Sequence, residues 1–112
     1  MKRGDILSFN LEKQYDEVRN AWVLVPRGDI DIYSAPEFKK ELIELIDIGN
    51  KDVVIDGTNL EYIDSTGLGV LISGLKKIRE HENIIMIENI KPKPLNLIRQ
   101  LKLRKKLKYW KI

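Results

Sequence analysis

Cysteine does not occur among the 112 residues. Its absence excludes disulfides, zinc–thiolate sites and a thiol nucleophile. Histidine occurs once, as His81 in the charged run Arg79-Glu80-His81-Glu82-Asn83. With no second histidine, no histidine/cysteine metal set is available, and His81 is expected to be a solvated surface residue. No apolar run approaches the roughly 18–20 residues that a membrane span needs, and the polar opening Met1-Lys2-Arg3-Gly4-Asp5 does not read as a signal peptide. A cytoplasmic protein without membrane contact is therefore expected. Internal repeats, low-complexity tracts and Gly/Ser linkers are missing too, so residues 1–112 read as one domain. So are a G-x-S-x-G elbow, a Walker-type loop and a dinucleotide fingerprint, and Gly67-Leu68-Gly69 is too short to cradle a phosphate chain. Catalytic residues, a metal and a cofactor are not expected.

What is present suits one ordinary globular core. Hydrophobic residues make up 43% and charged residues 33%, which argues against wholesale disorder. The net charge of +3 hides a split. Residues 1–90 carry 11 Lys/Arg against 17 Asp/Glu, a formal −6, whereas residues 91–112 carry nine Lys/Arg and no acid. An acidic body with a basic end is dipolar, which argues against nucleic-acid binding by the whole surface.

The patterning alternates strands with helices. Ile6 to Leu11 alternates with a two-residue period and predicts an edge strand, followed by a polar turn over Glu12 to Asn20. Trp22-Val23-Leu24-Val25-Pro26 predicts a buried strand. Ser34, Pro36 and Glu37 have the spacing of a capping box, and Phe38, Leu42, Leu45 and Ile46 share one helical face up to Gly49-Asn50. Val53-Val54-Ile55 predicts a second buried strand, with a loop from Gly57 to Asp64 that holds one more apolar segment. A helix from about Thr66 to Glu80 aligns Leu68, Leu71, Ile72, Leu75 and Ile78. Ile84 to Ile87 predicts a strand parallel to Val53–Ile55 through a helical crossover. A third helix over Leu95 to about Lys106 and a short strand over Tyr109 to Ile112 complete the expectation. The fold class is α/β: about five strands in a mixed sheet, with helices packed mainly on one face.

Leu60 to Leu71 carries the most chemistry. Asp64, Ser65 and Thr66 are three successive N-cap candidates before a helix that needs one, which leaves a hydroxyl free to face outward. Gly67 and Gly69 are costly in a first helical turn, about 1 kcal/mol each against alanine. They make sense where another backbone or a partner approaches closely. Bare N–H groups and the positive dipole end would favour a phosphate on such a hydroxyl. Upstream, Asp29 and Asp31 are two apart and would share a strand face, as an acid and a base do, but with no recognisable substrate pocket a solvated strand end or turn is the preferred reading.

The run Tyr62-Ile63-Asp64-Ser65-Thr66-Gly67-Leu68-Gly69 continuing to Glu80, together with Gly28 to Leu42, resembles the anti-sigma factor antagonist family, which is built on the STAS domain. The resemblance extends from about Trp22 to Leu101. It implies a binding switch in place of a catalyst. In that family the unphosphorylated form binds an anti-sigma factor, usually itself a serine kinase, and so frees the sigma factor. The kinase ends the interaction by phosphorylating the serine of D-S-[ST]-G, and a metal-dependent serine phosphatase resets it. By position the acceptor is Ser65, with Asp64, Thr66, Gly67 and Leu68 around it. Asp31 falls where the family places an acid beside the phosphorylation loop, with Asp29 in the same segment, and Tyr33 and Ser34 flank the same surface. One departure is Leu103-Arg104-Lys105-Lys106-Leu107, where the family usually has a glycine.

That basic end, Lys102 to Lys111, reads first as a solvated face whose long side chains cover apolar surface. An electrostatic role toward an acidic partner comes next. Two other functions are compatible with the sequence: a scaffold subunit of a larger signalling assembly, and nucleotide or nucleic-acid binding through Lys102 to Lys111. No aromatic platform or reading motif supports the last.

Overall fold

The computed structural model describes residues 9–104 and 110–111, with side chains over 9–100. Strands β1 (Phe9–Asp16), β2 (Ala21–Ile30), β3 (Asp52–Asp56), β5 (Ile85–Glu88) and β6 (Trp110–Lys111) lie side by side in that order. The short β4 (Leu60–Ile63) lies off this path and pairs with β2. Among the described residues there are three α-helices: α1 (Ala35–Glu44), α2 (Ser65–Glu80) and α3 (Pro92–Arg104). Among the described residues only β1 runs antiparallel to its neighbour; β2 to β3, β2 to β4, β3 to β5 and β5 to β6 are parallel. The mixed sheet and the parallel β3–α2–β5 unit match the expectation from patterning.

One main core lies between the sheet and the helices. It joins Leu24, Val53, Ile55, Ile85 and Ile87 from the strands to Phe38, Leu42, Leu71, Ile78 and Ile98 from the helices. The opposite sheet face holds a smaller cluster of Ala21, Val23, Val25 and Val54, with Met86 against it. This strict division follows from the two-residue period of the strands.

Several boundaries differ from the sequence reading. The polar stretch Glu12 to Asp16 is strand, paired from Glu12↔Val25 to Asp16↔Ala21. An edge strand is held by its backbone ladder, so its side chains need not alternate in polarity. Residues 6–8 lie outside the described residues. β2 runs on beyond Pro26 to Ile30. Its parallel pairing to β3 ends at Leu24 and that to β4 begins at Gly28, so the missing proline N–H falls in the gap between the two partners. The apolar segment of the expected loop is β4. The first helix ends in a π-helical turn, Leu45–Gly49, stopped by Asn50 in the left-handed region at φ 48°. The third helix starts at Pro92, earlier than its apolar pattern suggests, because proline suits a first helical position. Lys105, Lys106, Tyr109 and Ile112 lie outside the described residues.

Two local expectations are corrected. Ser34 makes no side-chain cap bond to α1 and has helical φ and ψ, so the capping box does not form. His81 is not simply solvated. Its Nδ1 lies 3.1 Å from Asn50 Oδ1 and its Nε2 lies 3.1 Å from Asp47 Oδ1, tying the end of α2 to the π-helical turn.

Candidate functional site

β2 and β4 end side by side, with Ile30 opposite Ile63 and the Asp64 N–H donating to the Ile30 carbonyl at 3.1 Å. Both chains then turn into helices at the carboxyl ends of parallel strands, where loops in α/β sheets present functional groups. The β2 turn is Asp31 to Ser34, and the β4 turn is Asp64 with the start of α2.

Asp64 is the N-cap of α2. Its Oδ1 accepts from Thr66 N at 2.9 Å and Gly67 N at 3.1 Å, and its carbonyl accepts from Leu68 N at 3.0 Å. Extended backbone at Asp64, φ −110° and ψ −170°, sets this geometry. With the cap supplied by the carboxylate, Ser65 and Thr66 are both exposed. The sequence reading of surplus hydroxyls is thereby realised at the first two positions of α2. The bare N–H groups expected there are not bare, since the Asp64 carboxylate already takes two of them.

Asp31 does the equivalent work before α1. Its Oδ1 accepts from Tyr33 N at 2.9 Å and Ser34 N at 3.2 Å, and its carbonyl accepts from Ala35 N at 2.8 Å. The Oδ1 of this carboxylate is thus engaged by backbone amides of its own turn. Ser34 is buried; its hydroxyl donates to the Asp29 carbonyl at 2.7 Å and accepts from Asp31 N at 2.9 Å. Asp29 itself is half-buried opposite Tyr62. Ser34 and Asp29 therefore build the turn, and Tyr33 is the member of that group presented outward, 89% exposed.

Gly67 is buried, and a Cβ built there would lie 2.5 Å from Ile63 Cγ1 and 2.8 Å from Ile30 Cγ2. The close approach that requires glycine is to the ends of β2 and β4 inside the domain. Leu68 is half-buried against the main core. Gly69 is exposed. Sequence reasoning missed Ile32 and Tyr62, exposed at 63% and 51% beside the same strand ends. An isoleucine next to a strand and a tyrosine within one look like core positions until the sheet's edge is known. Among the described residues, no cluster of three or more His, Cys, Asp or Glu side chains could hold a metal ion, and no helix is long and apolar enough to cross a membrane.

Comparison with known proteins gives this geometry a family. An anti-sigma-B factor antagonist of Staphylococcus epidermidis is 33% identical over 60 residues, 54% of this chain and 56% of that protein. The match thus spans about half the length of the curated relative. The crystal structure of an anti-sigma factor antagonist from Mycobacterium paratuberculosis superposes with a TM-score of 0.73 at 20% identity, covering 98% of this chain and 90% of that one. The structure of the Bacillus cell fate determinant SpoIIAA in its phosphorylated form superposes with a TM-score of 0.65 at 16% identity, covering 93% of this chain and 90% of that one. These likenesses show the fold. The STAS domain family model matches residues 12–111, and the chain belongs to the STAS domain family.

Proposed function

We propose that this STAS domain is an anti-sigma factor antagonist, a cytoplasmic binding switch and not a catalyst, governed by phosphorylation of Ser65. Unphosphorylated, it binds an anti-sigma factor that is also a serine kinase, and so releases the sigma factor. The kinase closes the cycle by transferring phosphate to Ser65, and a serine phosphatase removes it. The observation that carries this reading is the exposed Ser65 hydroxyl at the first position of α2, freed from capping by Asp64. The names of the curated relative and of the solved structures support it.

The switch works through charge. A phosphoserine adds about −1.5 to −2 charges and three acceptor oxygens. Because Asp64 already occupies the Thr66 and Gly67 amides, the helix start has little left with which to neutralise that charge. It stays exposed next to Asp64, against a partner surface fitted to a neutral hydroxyl. Docking an unpaired charge there costs several kcal/mol, and about 3–4 kcal/mol lowers affinity several-hundredfold.

The test is incubation with a purified anti-sigma serine kinase and ATP. One phosphate is expected on the wild-type chain and none on Ser65→Ala. Ser65→Asp is expected to lose binding while Ser65→Ala retains it. Labelling at another residue, or tight binding by Ser65→Asp, refutes the reading.

A further inference from the structure

A groove of about 650 Å³ lies between the β1–β2 hairpin and the π-helical turn Leu45–Gly49. Its volume falls within the range of small-molecule sites, and single π-helical turns recur at functional positions. Trp22 lines the groove near the start of β2, whereas the Ser65 rim follows Ile30 at the other end. The two places are roughly 26 Å apart along the strand. This groove is a separate feature.

Its walls are largely apolar. The rings of Tyr15 and Trp22 meet edge to face, with centroids 5.1 Å apart and planes at 60°. Gly49 seats the indole: a Cβ there would lie 2.6 Å from Trp22 Nε1 and 2.7 Å from Cδ1. Ile48, in the same turn, is 82% exposed. The Tyr15 hydroxyl donates to Asn20 Oδ1, but the Trp22 indole N–H has no acceptor among the described residues.

The charges on the lining are unevenly matched. Lys13 donates to Glu41 at 2.8 Å and is attracted by Glu44, the carboxylate on the groove wall. Lys51 has no ion-pair partner among the described residues. It lies two residues before Val53, the β3 partner of Trp22, and both Lys51 and Trp22 line the groove. An ammonium and an indole N–H are thus left without acceptors beside apolar surface.

We propose that this groove binds a small aromatic carboxylate. The ring packs against Trp22, Leu45 and Ile48, and the carboxylate accepts from Lys51 and the indole N–H. A protein segment suits the groove less well, because a stable protein interface takes about 20–30 residues a side and eight line this groove. The site does not depend on Ser65 being the phosphoacceptor.

The test follows the Trp22 indole N–H in proton–nitrogen correlation spectra of the intact chain. The probes are phenylacetate and its uncharged analogue phenylacetamide. Phenylacetate is expected to shift this resonance saturably with a Kd of about 1 mM or below, and phenylacetamide to bind about tenfold more weakly. Lys51→Ala is expected to lose that preference, and Ile48→Asp to lose binding of both probes while melting close to wild type. A shift that fails to saturate by about 10 mM overturns the proposal. So do equal binding of the two probes, unchanged binding by both variants, or saturable shifts confined to the Ser65 rim. A dimer by light scattering that Ile48→Asp dissociates also overturns it, by assigning the groove to a second copy of the chain.

Discussion

Asp31 and Asp64 hold the same relationship to the chain that follows them. Each stands one residue beyond the paired Ile30 and Ile63, and the Oδ1 of each accepts the amides two and three residues on. Each carbonyl accepts the amide four residues on, Ala35 for Asp31 and Leu68 for Asp64. Two helices therefore leave neighbouring strands through the same aspartate turn, and the rim between these turns carries Ile32, Tyr33, Ser65 and Thr66.

Removing either carboxylate should loosen its turn. Asp31→Ala and Asp64→Ala are each expected to lower stability by about 1 kcal/mol in urea unfolding, with Asn at either position retaining most of it. Equal stability of both alanine variants and wild type would contradict the capping role.

The buried Ser34 hydroxyl serves a second, independent restraint. Ser34→Ala leaves Asp31 N and the Asp29 carbonyl each short of a partner that they now have. A loss of about 1–3 kcal/mol is expected. Slowed hydrogen exchange at Asp31 in the variant would argue against it.

Gly67 and Gly69 should respond in opposite directions. Gly67→Ala forces a methyl group against Ile63 and Ile30 and is expected to destabilise by about 1–3 kcal/mol. Gly69→Ala is expected to stabilise by up to about 1 kcal/mol. Thermal melts of the two variants distinguish these outcomes directly.

Acid should release the joint between α2 and the π-helical turn. The His81 hydrogen bond, helped by Lys77, holds the Asp47 carboxyl below its ordinary value of 3.8. A depressed acid stabilises the fold above its unfolded pKa, and that contribution disappears as pH falls through the folded value. The melting-temperature difference between wild type and Asp47→Asn should therefore be present at pH 5 and shrink below about pH 3.8. A difference that persists unchanged at pH 2 would sink this assignment.

The sequence by itself determined the alternation of strands and helices, the core face of α1, that of α2 except for Ile72, which is exposed, and the surplus of short polar side chains at Asp64 to Thr66. These are local properties: a two- or 3.6-residue period and capping chemistry are written within a few neighbouring residues. The tertiary structure decided the rest. It made strand of the polar Glu12–Asp16 by pairing it with β2, and set β4 beside the end of β2. Ser34 was turned inward by a carbonyl five residues upstream, and His81 was joined to Asp47 and Asn50 across more than 30 positions of chain. It also divided two similar glycines between inside and outside, since only the approach of β2 and β4 to α2 fixes which side of the helix is covered. Contacts of this kind depend on partners distant in sequence, and no local pattern encodes them.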